Sequence, residues 1–168
     1  MRKPSTTIYR RWPSGRPQTT EKYQLKALEL KRQEGQRLPL ANSLLNLGII
    51  KRKQEQYKEA IAYYEESLAI AREFNDEKKI ANALNNIGSA YVSLNDLKKA
   101  AGYFEESIAL KRKIDDLQGL ARTFGELAEV RAFYGNFAGA RALLLEAEAI
   151  AATISSREIE HLIYRNRA

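Results

Sequence analysis

The chain has 168 residues, of which 44% are hydrophobic, so it can bury the core of one ordinary domain or one short repeat array. It has no cysteine and a single histidine, His161, which excludes disulfides, a thiolate nucleophile and the usual zinc ligand sets. No stretch approaches the roughly 20 apolar residues of a membrane span. We therefore expect a soluble, cytoplasmic protein that carries no metal and no cofactor.

The net charge of +7 is concentrated at the N-terminus. Residues 1–20 contain three of the four prolines and no acidic residue, whereas the rest of the chain holds 23 basic and 21 acidic side chains. The basic side chains of the segment are Arg2, Lys3, Arg10, Arg11 and Arg16. Because it shows no apolar period, residues 1–20 are predicted to form a flexible arm. One possible function is contact between this arm and nucleic acid or another acidic surface, with Tyr9 and Trp12 stacking on bases.

From residue 21 onward the sequence repeats itself every 40 residues. Blocks 41–80, 81–120 and 121–160 align without a gap, and 14 of 40 positions are identical between the first two blocks. A half block, 21–40, precedes them, and residues 161–168 begin a fourth. Such a period is typical of a repeat array in which each unit buries its apolar face against the next.

Apolar residues within each block recur at spacings of three and four, as at Leu44, Leu47 and Gly48, so each block is predicted to form two helices. Turn-forming residues separate these helices at 55–56, 95–96 and 135–136, and separate the blocks at 75–76 and 115–116. We therefore predict about seven helices over residues 21–168. The predicted fold is all-α, a right-handed superhelical α-solenoid of antiparallel helix pairs.

The repeated positions resemble the tetratricopeptide repeat, which has a large apolar residue, a Leu-Gly pair and, in its second helix, an alanine followed four residues later by an aromatic. The matching residues are Leu44, Leu47, Gly48, Ala60 and Tyr64 in the first block, Leu84, Ile87, Gly88, Tyr91, Ala100 and Phe104 in the second, and Phe124, Leu127, Ala128, Ala140 and Leu144 in the third. The small residues Gly48, Gly88 and Ala128 are predicted to permit close helix approach. Arg72, Arg112 and Ala152 replace the family's helix-ending proline, which fits the long, 40-residue repeat type.

Successive residues of a helix are rotated by about 100° around its axis, which places a second set of first-helix residues on the side away from the predicted core. It is rich in asparagine and serine, which lower helix propensity and would be poor choices for a merely solvated face. The candidate groove residues are Asn42, Asn46, Ile49, Lys53, Asn82, Asn86, Ser89, Ser93, Arg122, Glu126, Glu129 and Phe133.

The resemblance implies that the first helices line a concave groove, where Asn46 and Asn86 hydrogen-bond the backbone of an extended peptide. The alternative is structural: Asn42 and Asn82 would act near helix starts, and Asn46 and Asn86 would bond a neighbouring helix. Both roles are compatible with the sequence.

Enzymatic function is not expected. Consecutive glutamates at 65–66 and 105–106 diverge by about 100° on a helix, and no glycine-rich phosphate loop occurs. We therefore predict a protein–protein interaction scaffold whose partner is an unidentified protein or peptide, with nucleic acid as the weaker alternative. The half block at the N-terminus would present Tyr23, Leu28 and Leu30 as an apolar face. Either self-association or the arm, through Ile8 and Trp12, would cover this face.

Overall fold

The computed structural model describes the backbone of residues 16–154 and the side chains of residues 21–154. Within this range the chain forms seven helices: α1 (Arg16–Gln33), α2 (Arg37–Lys53), α3 (Tyr57–Glu73), α4 (Glu77–Ser93), α5 (Leu97–Lys113), α6 (Leu117–Phe133) and α7 (Phe137–Ile154). The predictions made for residues 1–15, with Tyr9 and Trp12, and for residues 155–168, with His161, lie outside the described residues. The predicted all-α solenoid of helix pairs is confirmed.

The helix pairs repeat with the predicted period, since α2, α4 and α6 begin at Arg37, Glu77 and Leu117. Each pair begins four residues before the block boundary chosen from the sequence, because a periodic pattern fixes the length of a repeat and not its first residue. The predicted arm is also too long, because α1 starts at Arg16 rather than at residue 21. Pro17 is compatible with this earlier start, since proline is tolerated in the first turn of a helix.

Each of the helices α1 to α6 ends in a three-residue turn that contains one residue with positive φ. These residues follow one another every 20 positions: Gly35, Glu55, Asn75, Asn95, Asp115 and Gly135. Glycine and asparagine favour this left-handed conformation, which satisfies the last carbonyls of the preceding helix. The side chains of Asp76, Asp96 and Asp116 then accept hydrogen bonds from backbone amides of the next helix. Turn chemistry therefore sets the 20-residue helical unit.

The first helices of the repeats pack closer together than the second helices. Cα atoms of α4 approach those of α2 and of α6 within 8 Å, whereas α3, α5 and α7 show no such approach to one another in the described range. The stack therefore curves with α2, α4 and α6 on its inner face and α3, α5 and α7 on its outer face. This curvature places the predicted groove residues on the inner face.

Small residues on the first helices make room for large ones on the second. A Cβ atom added to Gly88 would lie 2.7 Å from Cε1 of Phe104, and one added to Gly48 would collide with the ring of Tyr64. The sequence predicted close approach of two helix backbones at these glycines, whereas the structure shows an aromatic ring of the second helix against each of them. The third repeat, which has alanine at position 128, carries a smaller leucine at position 144.

Two hydrogen bonds explain the serine that ends each Glu-Glu-Ser run. The buried hydroxyls of Ser67 and Ser107 donate to the backbone carbonyls of Ala41 and Ala81, each at 2.8 Å. Both serines therefore tie the second helix of a repeat to the first.

Arginines link successive second helices along the outer face. Three ion pairs recur with the repeat, Arg32–Glu66 at 2.6 Å, Arg72–Glu106 at 2.9 Å and Arg112–Glu146 at 2.8 Å. Two of the arginines stand where the family has its helix-ending proline. We call these three pairs the outer ladder. The second glutamate of each repeated pair is thus part of a structural contact.

The N-terminal half repeat only partly matches its prediction. Tyr23 is 69% exposed and Leu30 47% exposed, but Leu28 is buried with Leu40 and Leu44. Leu28 faces α2, whereas Tyr23 and Leu30 lie on another side of α1. Self-association through this end stays a prediction.

Candidate functional site on the inner face

All twelve predicted groove residues lie on α2, α4 and α6, and none of them is buried. Asn42, Asn46, Lys53, Ser93, Arg122, Glu129 and Phe133 are exposed, and the remaining five are partly exposed. The angular argument therefore located a face outside the buried core, although Ile49 on this face packs against one core cluster. Its role in binding stays a prediction.

Half of these residues meet in one depression of about 340 Å³ between the three first helices. The predicted residues in its lining are Asn86, Ser89, Ser93, Arg122, Glu126 and Glu129. Asn42, Asn46, Ile49, Lys53, Asn82 and Phe133 do not line it. Arg52, Asn85, Val92 and Phe104 complete the lining and were missed as site residues. The second and third repeats thus build most of this depression, which we call the inner depression.

The asparagine amides of this face are not used by the fold. Within the described part of the chain, the side chains of Asn42, Asn46, Asn82 and Asn86 take part in no hydrogen bond that would join two helices or cap one. The helix that contains Asn82 and Asn86 is capped by Asp76 instead. The structural alternative for these four residues therefore lacks the contacts it requires.

The serines of α4 are satisfied locally. The hydroxyl of Ser89 donates to the carbonyl of Asn85 at 3.0 Å, and that of Ser93 donates to the carbonyl of Ser89 at 3.2 Å. Such bonds to the preceding turn use the single hydroxyl proton but leave the oxygen able to accept. Both serines can therefore receive a donor from a ligand.

A buried polar network supports the floor of the inner depression. The Lys111 ammonium, which is fully buried, donates to Asn85 Oδ1 at 2.9 Å, to Thr123 Oγ1 at 2.6 Å and to the Gly119 carbonyl at 3.3 Å. Asn85 Nδ2 in turn donates to Glu126 Oε2 at 2.8 Å. Because Lys111 engages the amide oxygen, the amide nitrogen of Asn85 must face Glu126.

The network holds two charged groups in a poorly solvated place. Burial lowers the pKa of Lys111 to about 8, helped by the positive charge of Arg122 and opposed by the carboxylates of Glu126 and Asp116. Burial likewise raises the pKa of Glu126, while Arg122, the Asn85 hydrogen bond and Lys111 oppose that rise. The amide of Asn85 therefore connects a buried cation to the carboxylate at the wall of the inner depression.

Arg52 reaches the inner depression from α2. Its Nε is buried and forms no hydrogen bond within the described residues, and its positive charge opposes the rise that burial causes in the pKa of Tyr64. The inner depression is therefore lined by two guanidinium groups, Arg52 and Arg122, and by two carboxylates, Glu126 and Glu129.

Sequence comparison between repeats could have found Asn85, because the equivalent position in the first repeat is Leu45. A polar residue at an apolar repeat position signals a buried network or a site. Arg52 carries no such signal, because it follows Lys51 and precedes Lys53 in a basic helix end.

The described range contains neither a membrane-spanning helix nor a candidate metal site. No helix there is long and apolar enough to cross a bilayer. Residues 21–154 also contain no group of three histidine or acidic side chains that could hold a metal ion.

Comparison with known sequences identifies the repeat. The tetratricopeptide repeat profile matches residues 8–73, 40–113 and 79–153, which together include most of the chain. The chain belongs to the tetratricopeptide repeat family. The second match ends at the last residue of α5 and the third one residue before the end of α7, so two helix pairs of this chain correspond to each of these matches. No curated protein matches the sequence.

Several solved structures share this fold at low sequence identity. BtubC from P. vanneervenii superposes with a TM-score of 0.77 at 25% identity, over 84% of this chain and 59% of that one. Aspartyl phosphate phosphatase F from Bacillus subtilis superposes with a TM-score of 0.81 at 18% identity, over 88% and 40%. A Rap protein in complex with Competence and Sporulation Factor gives 0.82 at 18% identity, over 88% and 42%. This chain therefore spans 40 to 59% of the length of these structures.

Proposed function

We propose that this tetratricopeptide repeat protein is an interaction scaffold, not an enzyme, and that it binds an extended segment of another protein on its inner face. The observation that carries the proposal is the inner depression. It combines the Asn86 amide, which forms no hydrogen bond within the described residues, with the guanidinium groups of Arg52 and Arg122 and the carboxylate of Glu126. A peptide backbone presents alternating carbonyls and amides, so it can use both the donors and the acceptors of this lining.

The energetics require more than backbone contacts. Each hydrogen bond to a peptide contributes about 0.5 to 1.5 kcal/mol net, whereas micromolar affinity needs about 8 kcal/mol. Val92 supplies apolar surface in the floor of the depression, which a ligand side chain can cover. The Rap protein solved with Competence and Sporulation Factor is a precedent for a partner held by an array of this fold.

The test is a selection of extended peptides from a random displayed library against the full chain, followed by titration of one selected peptide. Replacing both Asn46 and Asn86 by alanine should weaken binding by about 1 to 3 kcal/mol. Stability should hold or rise by up to about 1 kcal/mol, because alanine favours the helix and neither amide bonds to the protein. Gln118→Ala, an exposed amide of α6 outside the depression, is the matched control and should bind as the wild type does.

Two outcomes would contradict the proposal. Selection of no peptide at all would remove the inner face as a peptide site. Unchanged affinity in the double variant, measured with a peptide that the wild type binds, would place recognition elsewhere on the array.

A further inference from the structure

The outer face carries a groove of its own between α3 and α5. Two adjoining depressions of about 520 and 470 Å³ share Glu65 and Lys99 in their linings. Tyr103 and Gly102 line the first, and Tyr91 lines the second. The groove exists because the second helices diverge where the first helices converge. We call it the outer groove.

Gly102 has no structural role that would explain it. It lies in the interior of α5, where glycine destabilises a helix relative to alanine, and the two equivalent positions hold Ala62 and Ala142. A Cβ atom added at Gly102 would meet no protein atom within 4 Å. Glycine at an open position in a groove permits close approach by the backbone of another molecule.

Glu65 lacks a cation that its counterpart possesses. In the next repeat, Arg131 donates to the equivalent carboxylate, Glu105, at 3.5 Å. The residue that occupies the place of Arg131 one repeat earlier is Tyr91, which cannot neutralise a carboxylate. Within residues 21–154 no basic side chain forms an ion pair with Glu65, although Lys58, Arg72 and Lys99 line the same depressions. Arg72 and Lys99 are paired instead with Glu106 and Asp96. The protein itself therefore shows which group would complete this position, namely a guanidinium.

The aromatic wall of the outer groove also suits a cation. The rings of Tyr91 and Tyr103 stack with centroids 5.5 Å apart and planes 10° from parallel. Lys99 Nζ lies 5.0 Å from the centre of the Tyr91 ring and is held there by Asp96 at 3.0 Å. Lys99 shows that the Tyr91 ring accepts a cation, and arginine stacks on tyrosine rings readily, so the tyrosine pair is a second favourable surface for a guanidinium.

We propose that the outer groove binds an arginine side chain on an extended segment of a partner protein. The guanidinium lies between the Glu65 carboxylate and the tyrosine pair, and the backbone of the segment passes over Gly102. Arginine is preferred to lysine because its planar group can donate two hydrogen bonds to a carboxylate while it stacks on a ring. This site lies on the opposite face from the inner depression, so the protein has two independent surfaces for partners.

The experiment is a titration of the full ¹⁵N-labelled chain with N-acetyl-arginine amide, followed through the amide signal of Gly102. The signal should shift saturably with the arginine probe. N-acetyl-citrulline amide, which has a similar shape and no charge, should cause a much smaller shift. Glu65→Gln should weaken the affinity for the arginine probe about tenfold.

Glu66→Gln is the matched control, because it removes the same charge one residue further along α3, from a carboxylate that belongs to the outer ladder. Its affinity for the probe should equal that of the wild type. Unchanged affinity in Glu65→Gln, equal binding of the citrulline probe, or no shift of Gly102 would each overturn the proposal. None of these results bears on peptide binding at the inner face, so the two proposals fail separately.

Discussion

The interface between the first and second repeats differs from the interface between the second and third. At the latter, Lys111 is buried against Asn85 and Thr123. The equivalent residues at the former are Ala71, Leu45 and Ala83, and both alanines are fully buried. One backbone arrangement therefore accommodates either a complete apolar set or a complete polar set. A buried ammonium needs all of its acceptors, so these three positions must change together.

Among the substitutions that test this difference, removal of the Lys111 cation alone should have the largest effect on stability. Lys111→Ala leaves a cavity and removes the donor of three buried hydrogen bonds, so the free energy of unfolding should fall by about 2 to 5 kcal/mol. Denaturant unfolding monitored by circular dichroism measures it. Lys113→Ala, an exposed lysine on the same turn of α5, is the control and should lose less than about 1 kcal/mol. A similar small loss in Lys111→Ala would show that the network contributes little.

The pH dependence of stability should also separate the two interfaces. The pKa of Lys111 is about 8 in the folded protein and 10.5 in the unfolded chain, so the unfolded chain binds more protons between these values. The contribution of Lys111 to stability should therefore rise with pH over this range, by at most about 1.4 kcal/mol per pH unit, and level off below it.

The measurement is the difference in unfolding free energy between the wild type and the triple variant Lys111→Ala, Asn85→Leu, Thr123→Ala. Titration of the tyrosines and of the other lysines cancels in this difference. A difference that stays flat or falls from pH 8 upward would contradict the assigned environment of Lys111.

The same triple variant sharpens the comparison at neutral pH, with a smaller expected effect. This variant gives the interface between the second and third repeats the residues that occur between the first and second. Its free energy of unfolding should therefore lie within about 1 kcal/mol of that of the wild type. The single and triple variants together form a cycle that measures the coupling among the three positions. A loss as large as that of Lys111→Ala would mean that the two interfaces are not interchangeable.

The outer ladder should show no difference between the two interfaces. Arg72→Ala and Arg112→Ala remove equivalent exposed ion pairs. Each should lower the free energy of unfolding by no more than about 1 kcal/mol, and by less at high salt. Thermal unfolding at low and high ionic strength checks this expectation. A large loss in only one variant would place an interface difference on the outer face as well.

The fold could be predicted because it depends on local and periodic signals. Apolar spacing gave the helix type, and residues such as Asn75 and Asn95 marked the turns, where both adopt positive φ. The side-chain contacts between successive repeats were harder to predict. Lys111 stands in a basic run at the end of α5, as a solvated lysine would, and its burial depends on Asn85 and Thr123, which are 26 and 12 residues away.

The candidate site was predictable to a similar degree. Helical geometry identified the exposed face and placed Asn86, Ser89 and Glu126 together. It could not show that Arg52 reaches across from α2, because a long side chain on a helix can lie in several directions. It also could not show that Ser89 bonds to its own helix.

The outer ladder has a mechanical consequence for the array. Its ion pairs span the side on which the second helices diverge, so a tighter curl stretches them while it closes the inner face. They act as tethers that oppose bending in one direction only. Because half of each side chain is exposed to solvent, dissolved salt weakens the tethers. The stiffness of the array, and with it the width of the inner depression, is therefore set in part by ionic strength.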